Sequence, residues 1–215
     1  DFRLGVGARL VFADDTPDIV AYPMTRHGWG RLTLLLTLGN RRAVKGDCIL
    51  HFDDLLEHAD EIAFIALPLR TFASSRESDK NSHAKAQRRE EEYLWQLKSK
   101  TPHLWLGATM PRSGSDARRL AELAELSAAT GIPLLATNDA LYATPEVRAL
   151  HDIVTCIREG TTIQSAGRRL LANAERHLKS PEEMARLFRK YPKAIAATQD
   201  LLSRITFTLD DLKYE

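Results

Sequence analysis

Gly131-Ile132-Pro133-Leu134-Leu135-Ala136-Thr137-Asn138-Asp139-Ala140-Leu141-Tyr142 decides how the rest of the chain folds. Gly131 closes a helix, a short buried strand follows, and polar residues emerge behind it. In parallel α/β sheets and barrels, that carboxyl end is where ligands and metals are held. Asn138 and Asp139 are therefore the first candidate site residues. The competing reading is that Asp139 only caps a loop or the next helix.

On the amino side, Leu104-Trp105-Leu106 reads as a strand and Met110-Pro111-Arg112-Ser113-Gly114 as a turn. Ser115 or Asp116 then starts a helix carrying Leu120, Leu123, Ala124 and Ser127. Ile62 to Leu67 is a continuous apolar run stopped by Pro68, which suits a strand covered on both faces. Ile19 to Tyr22 and the opening Asp1 to Phe12 read as two more strands. The opening one is already under way at Asp1, so an amino-terminal part is expected to be missing. Thr25 caps a helix with Trp29, Leu32, Leu35 and Leu36 on one face, closed by Gly39. Asn40 to Gly46 reads as a basic loop, either solvated or phosphate-binding. Asp53 is expected to cap a short helix through Leu55, Leu56 and His58.

On the carboxyl side, Thr144-Pro145-Glu146 begins a helix presenting Leu150, Ile153, Val154 and Ile157 and ended by Gly160. Residues 74–92 are polar and nearly free of apolar side chains, a solvated insertion turning helical towards Tyr93 to Leu97; its His83 is no ligand candidate. Ser180-Pro181-Glu182-Glu183 is a capping box ahead of Met184, Leu187 and Phe188, which read as core. Tyr191-Pro192 breaks that helix, and another runs through Ile195, Leu201, Leu202 and Ile205. The alternation predicts an α/β protein with a mostly parallel sheet or barrel in 1–170 and a helical extension in 171–215.

Among 215 residues, 30 Lys+Arg against 29 Asp+Glu leave a formal charge of +1, which gives no argument for wholesale nucleic-acid binding. Cys48 and Cys156 form no C-x-x-C motif and are expected to be buried thiols. The chain has no signal peptide and no run long enough to cross a bilayer, so the expected location is cytoplasmic. It lacks H-x-H, H-E-x-x-H, G-x-S-x-G and a phosphate-binding glycine loop, and its seven histidines have no partner at metal-ligand spacing.

Ordered motifs go further. Gly7–Leu10, Tyr22–Arg42, Lys45–Cys48, Pro133–Tyr142, Asp152–Gly160 and His177–Met184 together resemble the bacterial C-family DNA polymerase alpha subunit. Leu38-Gly39-Asn40-Arg41-Arg42 and Arg168 to Glu175 resemble its error-prone, damage-inducible branch. The resemblance implies a polymerase-and-histidinol-phosphatase (PHP) domain, a distorted (β/α) barrel that is incomplete at the amino terminus here. In metal-binding members, a His, Asp and Glu cluster at the strands' carboxyl ends holds Mn2+ or Zn2+ for phosphoester hydrolysis, proofreading included.

The family's H-x-H and T-D-H motifs would lie ahead of Asp1. The Glu of its G-x-E falls on Arg9, and the His opening the next strand falls on Asp18. The Asp of N-D-x-H-Y is kept as Asp139, while its His is Leu141. Asp139, as a vestigial ligand, and Asp18 are thus the remaining metal candidates. A guanidinium opposes a dication and Leu141 has no donor atom. The expectation is a non-catalytic scaffold with no cofactor of its own, in which Arg9 and Asp139 form a buried ion pair. The alternative is a PHP-type phosphoesterase or proofreading exonuclease. By the same resemblance, the Mg2+-binding palm carboxylates would lie beyond Glu215. The implied partners are the palm and thumb, DNA, deoxynucleoside triphosphates, the sliding clamp and mutagenesis accessory proteins, with no membrane.

Overall fold

The computed structural model describes residues 4–67 and 91–213. Five strands line up in chain order: β1 (Ala8–Leu10), β2 (Ile19–Pro23), β3 (Ile62–Ala66), β4 (Leu104–Ala108) and β5 (Leu134–Ala136). The β3–β4 and β4–β5 pairs are parallel, but β1–β2 and β2–β3 are antiparallel, so the sheet is mixed rather than mostly parallel. The reason is local. Val11 to Asp18 is too short for a crossover helix, and Pro23 lies opposite Ile62, so the chain re-enters the sheet at the end where it left.

β1 and β5 do not pair, so the sheet of the described residues is open; the expectation was a distorted barrel incomplete at the amino terminus. It is nevertheless strongly curled. In a flat sheet, four spacings of about 4.8 Å would hold β1 roughly 19 Å from β5. Yet Arg9 of β1 comes within 3.7 Å of Asp139, just beyond β5.

Alternation along the strands sorts the core. Ile19, Ala21, Phe64, Ala66, Leu104 and Leu106 pack against Leu32 and Leu35 of α1 (Arg26–Arg42), Leu55 of α2 (Phe52–Glu57), and Leu94 and Leu97 of the helical residues 91–100, α3. On the opposite face, Ala63, Ile65, Trp105 and Leu135 meet Ala197, Leu201 and Ile205 of α8 (Pro192–Arg204) and the residue after it. Both faces are covered, which explains why every residue of β3 is buried. A third cluster joins Ala108 and Ala136 to Leu120 and Leu123 of α4 (Asp116–Thr130), and to Phe188, which follows α7 (Pro181–Leu187).

The helices read as an extension thus pack on the sheet and α4, α8 through Ala197 and Leu201 and α7 through the Phe188 that follows it. Behind α8, the N–H groups of Thr206 and Phe207 donate to Met24 O at 2.9 and 3.0 Å, and Phe207 stacks on Trp29 with ring centroids 5.2 Å apart.

Thr25 caps α1 as expected, accepting from the Gly28 N–H. The helix does not stop at Gly39, however. It runs to Arg42, so Asn40 to Arg42 are its last turn rather than a loop. Gly39 serves close approach instead, because a Cβ there would lie 2.6 Å from Cys48 Sγ and 2.7 Å from Leu50. Asp53 is not the cap of α2. His51 occupies that position, and Asp54 accepts the His51 N–H at 2.9 Å. Cys48 is exposed, against expectation, while Cys156 is buried.

The helix after β5 is α5 (Arg148–Arg158), and Leu150, Ile153, Val154 and Ile157, the apolar residues it was read to present, are exposed. A short α6 (Ile163–Ala166) follows it. Most of the polar insertion, with His83, lies outside the described residues. Among those described, no helix is long and apolar enough to cross a membrane.

Candidate functional site at the carboxyl edge of the sheet

Asp18 immediately precedes β2, and its carbonyl accepts from the Leu67 N–H at 3.0 Å, which sets it at the carboxyl end of β3. Asp139 follows β5 at the same edge. Its φ of 47° is left-handed, a region that Asp tolerates better than most residues. The curl of the sheet brings both carboxylates to Arg9. The Arg9 guanidinium grips Asp18 Oδ2 through Nη2 at 2.6 Å and Nε at 2.7 Å. Its Nη1 lies 3.7 Å from Asp139 Oδ1.

Arg176 completes the group from a distant part of the chain. Its Nη2 is 2.5 Å from Asp139 Oδ2, and its Nε donates to the Asp139 carbonyl at 2.9 Å. Two guanidiniums and two carboxylates therefore neutralise one another. The expected Arg9–Asp139 pair is present, but it is not buried: the two side chains are 33 % and 31 % exposed. Arg176, at 15 %, is the better shielded partner.

Arg176 is placed by the segment around it. Leu141 N donates to Arg176 O at 2.8 Å and Leu178 N to Tyr142 O at 3.0 Å, a short parallel bridge between Tyr142 and His177. Asn138 Nδ2 donates to His177 O at 2.9 Å. Upstream, Asn173 Nδ2 donates to Pro111 O at 2.8 Å. Arg112, in the loop after β4, lies 3.3 Å from Glu175 and 3.4 Å from Glu183, and Lys179 is 3.5 Å from Glu175. Residues 173–179 thus stitch the loops after β4 and β5 together. Sequence reading singled out this stretch as a motif, but it did not find Arg176, Glu175, Arg112 or Lys179 as site residues, because their partners lie far away along the chain.

Of the basic segment considered for phosphate, Arg42 is committed elsewhere. Arg42 holds Asp54 through bonds of 2.5 and 2.9 Å. That guanidinium keeps the Asp54 carboxyl below the ordinary carboxylate range. A cavity lined by Lys98, Thr101, Pro102, Leu104 and Ile132 lies at the opposite, amino edge of β4 and β5.

A dication at Asp18 and Asp139 would have to displace two arginines and sit against their charge. Leu141 offers no donor atom. Among the described residues, no group of three or more His, Cys, Asp or Glu converges to hold a metal ion.

No family model matches the chain. Sequence comparison is more informative. The chain is 46 % identical over 215 residues to the error-prone DNA polymerase of Brucella abortus biovar 1 (strain 9-941), a match covering 99 % of this chain and 19 % of the relative. It is homologous to a segment of error-prone DNA polymerases. The polymerase of Sinorhizobium medicae (strain WSM419) is 47 % identical over 97 % of the chain, and that of Rhodopseudomonas palustris (strain BisB5) 48 % over 99 %, each match covering 18 % of the relative. The chain therefore spans about a fifth of the length of these polymerases. The similarity runs through the sheet, the carboxyl edge and the helices that cover them.

Proposed function

We propose that this chain is the structural PHP part of an error-prone DNA-directed DNA polymerase. That polymerase would act in the cytoplasm in damage-induced mutagenesis, translesion synthesis and DNA repair. The observation that carries this reading is the arginine-closed carboxyl edge, found in a chain alike over 99 % of its length to error-prone polymerases. Where a working PHP site needs converging ligands, Arg9 and Arg176 neutralise the carboxylates internally. The same residues tie β1, β2 and the loop after β5 into one brace. In this reading Asp18 and Asp139 are vestiges of a metal site and serve as salt-bridge partners.

Nucleotidyl transfer, with its Mg2+ ions, belongs to palm carboxylates elsewhere in the longer chain. The partners of this segment are then the palm and thumb. DNA, deoxynucleoside triphosphates, the sliding clamp and accessory mutagenesis proteins engage the polymerase as a whole.

The test uses the full-length polymerase. Primer extension with Mg2+ is expected, with no removal of a mismatched primer end and no stoichiometric Mn2+ or Zn2+ after supply of either. Asp139→Ala should leave primer extension within about threefold of the parent at a permissive temperature. Stoichiometric metal, together with mismatch removal that disappears in Asp139→Ala, would replace the scaffold with a PHP-type phosphoesterase or proofreading exonuclease.

A further inference from the structure

Helix α5 is inverted for a surface helix. Val147, Leu150, Ile153, Val154 and Ile157 recur at helical spacing and are between 37 % and 76 % exposed. The inward side instead holds buried Thr155 and Cys156, with the half-buried Arg148–Asp152 pair at 3.4 Å. A helix that borders only water shows the opposite arrangement. Ile163, at the start of α6, is 47 % exposed as well. These side chains form an apolar patch on the order of several hundred Å², the size that marks an interaction surface rather than scattered exposure.

We infer that this face is covered by an apolar surface of the longer polymerase chain outside residues 1–215. Two observations select that occupant over a second copy. A stable dimer needs about 800 Å² from each partner, more than this one helix face supplies. A tethered partner needs less, because its effective concentration is in the millimolar range. Relatives of about five times the aligned length supply such a tethered partner. The inference rests on the polymerase reading above and names the surface through which the brace holds.

Ile157→Cys in the full-length polymerase tests it. Maleimide labelling of residue 157 is followed by fragment-ion sequencing of the labelled peptides, which separates it from Cys48 and from the adjacent Cys156, with the denatured protein as reference. Labelling in the native polymerase at least about tenfold slower than in the denatured chain, and independent of protein concentration, is expected. Labelling at nearly the denatured rate overturns the inference. So does protection that disappears on dilution, which assigns the face to a second copy. Primer extension on the same sample keeps the two readings apart. Activity with a freely labelled residue 157 removes the docking surface and leaves the polymerase reading intact. A parent protein without primer extension removes the polymerase reading, whatever the labelling shows.

Discussion

Arg9 and Arg176 divide the neutralisation of Asp139 unequally. Arg176 binds both its carboxylate and its carbonyl, whereas Arg9 is mainly occupied by Asp18. Asp139→Ala should lower stability by about 1–2 kcal/mol, seen as a lower urea midpoint. A fully buried pair would lose several kcal/mol, but water reaches Arg9 once Asp139 is gone. A loss above about 4 kcal/mol would show that the pair is shielded after all.

Asp54 makes a separate prediction. Its folded-state pKa lies below the ordinary 3.8, with the Arg42 hydrogen bond the first cause. Its stabilising contribution is therefore fully present above the unfolded pKa and is lost as pH falls through the folded one. Asp54→Asn should be less stable than the parent at pH 7, and urea titrations should show the gap closing below about pH 4. A gap unchanged at low pH would remove the charge from the explanation. At this scale the sequence was partly legible. Arg9 and Leu141 in place of ligands pointed to an ion pair, but Arg176 could not be seen, since it acts 37 residues from Asp139.

At the scale of elements, caps were the most readable features, because a cap bonds to residues three or four positions away. Thr25 and Gly131 act as read, Ser180 accepts the Glu183 N–H as half of the capping box read there, and the Asp53 cap moved to His51. Glycines in α1 were harder, since one residue type serves both helix ends and close packing. A Cβ on Gly28 would stand 2.1 Å from the Glu61 carbonyl oxygen. Alanine would gain about 1 kcal/mol of helix propensity there, but the clash is with backbone, which cannot rotate away. Gly28→Ala should therefore be destabilising by about 1–3 kcal/mol net, read as a lower thermal midpoint. An unchanged or higher midpoint would mean that α1 can move off β3 freely. α5 poses a related problem. Its periodicity correctly announced an apolar face, but periodicity does not say whether the cover comes from the same fold.

For the whole molecule, α8 is the deciding element. With it, the sheet has two covered faces, and Leu201 is packed among Met24, Ile65 and Trp105. Leu201→Ala should lower unfolding free energy by about 2–4 kcal/mol. A loss below about 1 kcal/mol, measured by chemical denaturation, would return α8 to the status of an appended helix.

By itself, the sequence determined what depends on neighbours a few residues apart. The helix starts, the apolar strands and the charges placed at strand ends were all set by local periodicity, capping and side-chain chemistry. Tertiary structure alone decided the strand directions, the open curled sheet, the seat of α8 and the pairing of Asp139 with Arg176. These depend on contacts between distant segments. Such contacts form only when burial of both sheet faces outweighs the entropy of bringing those segments together.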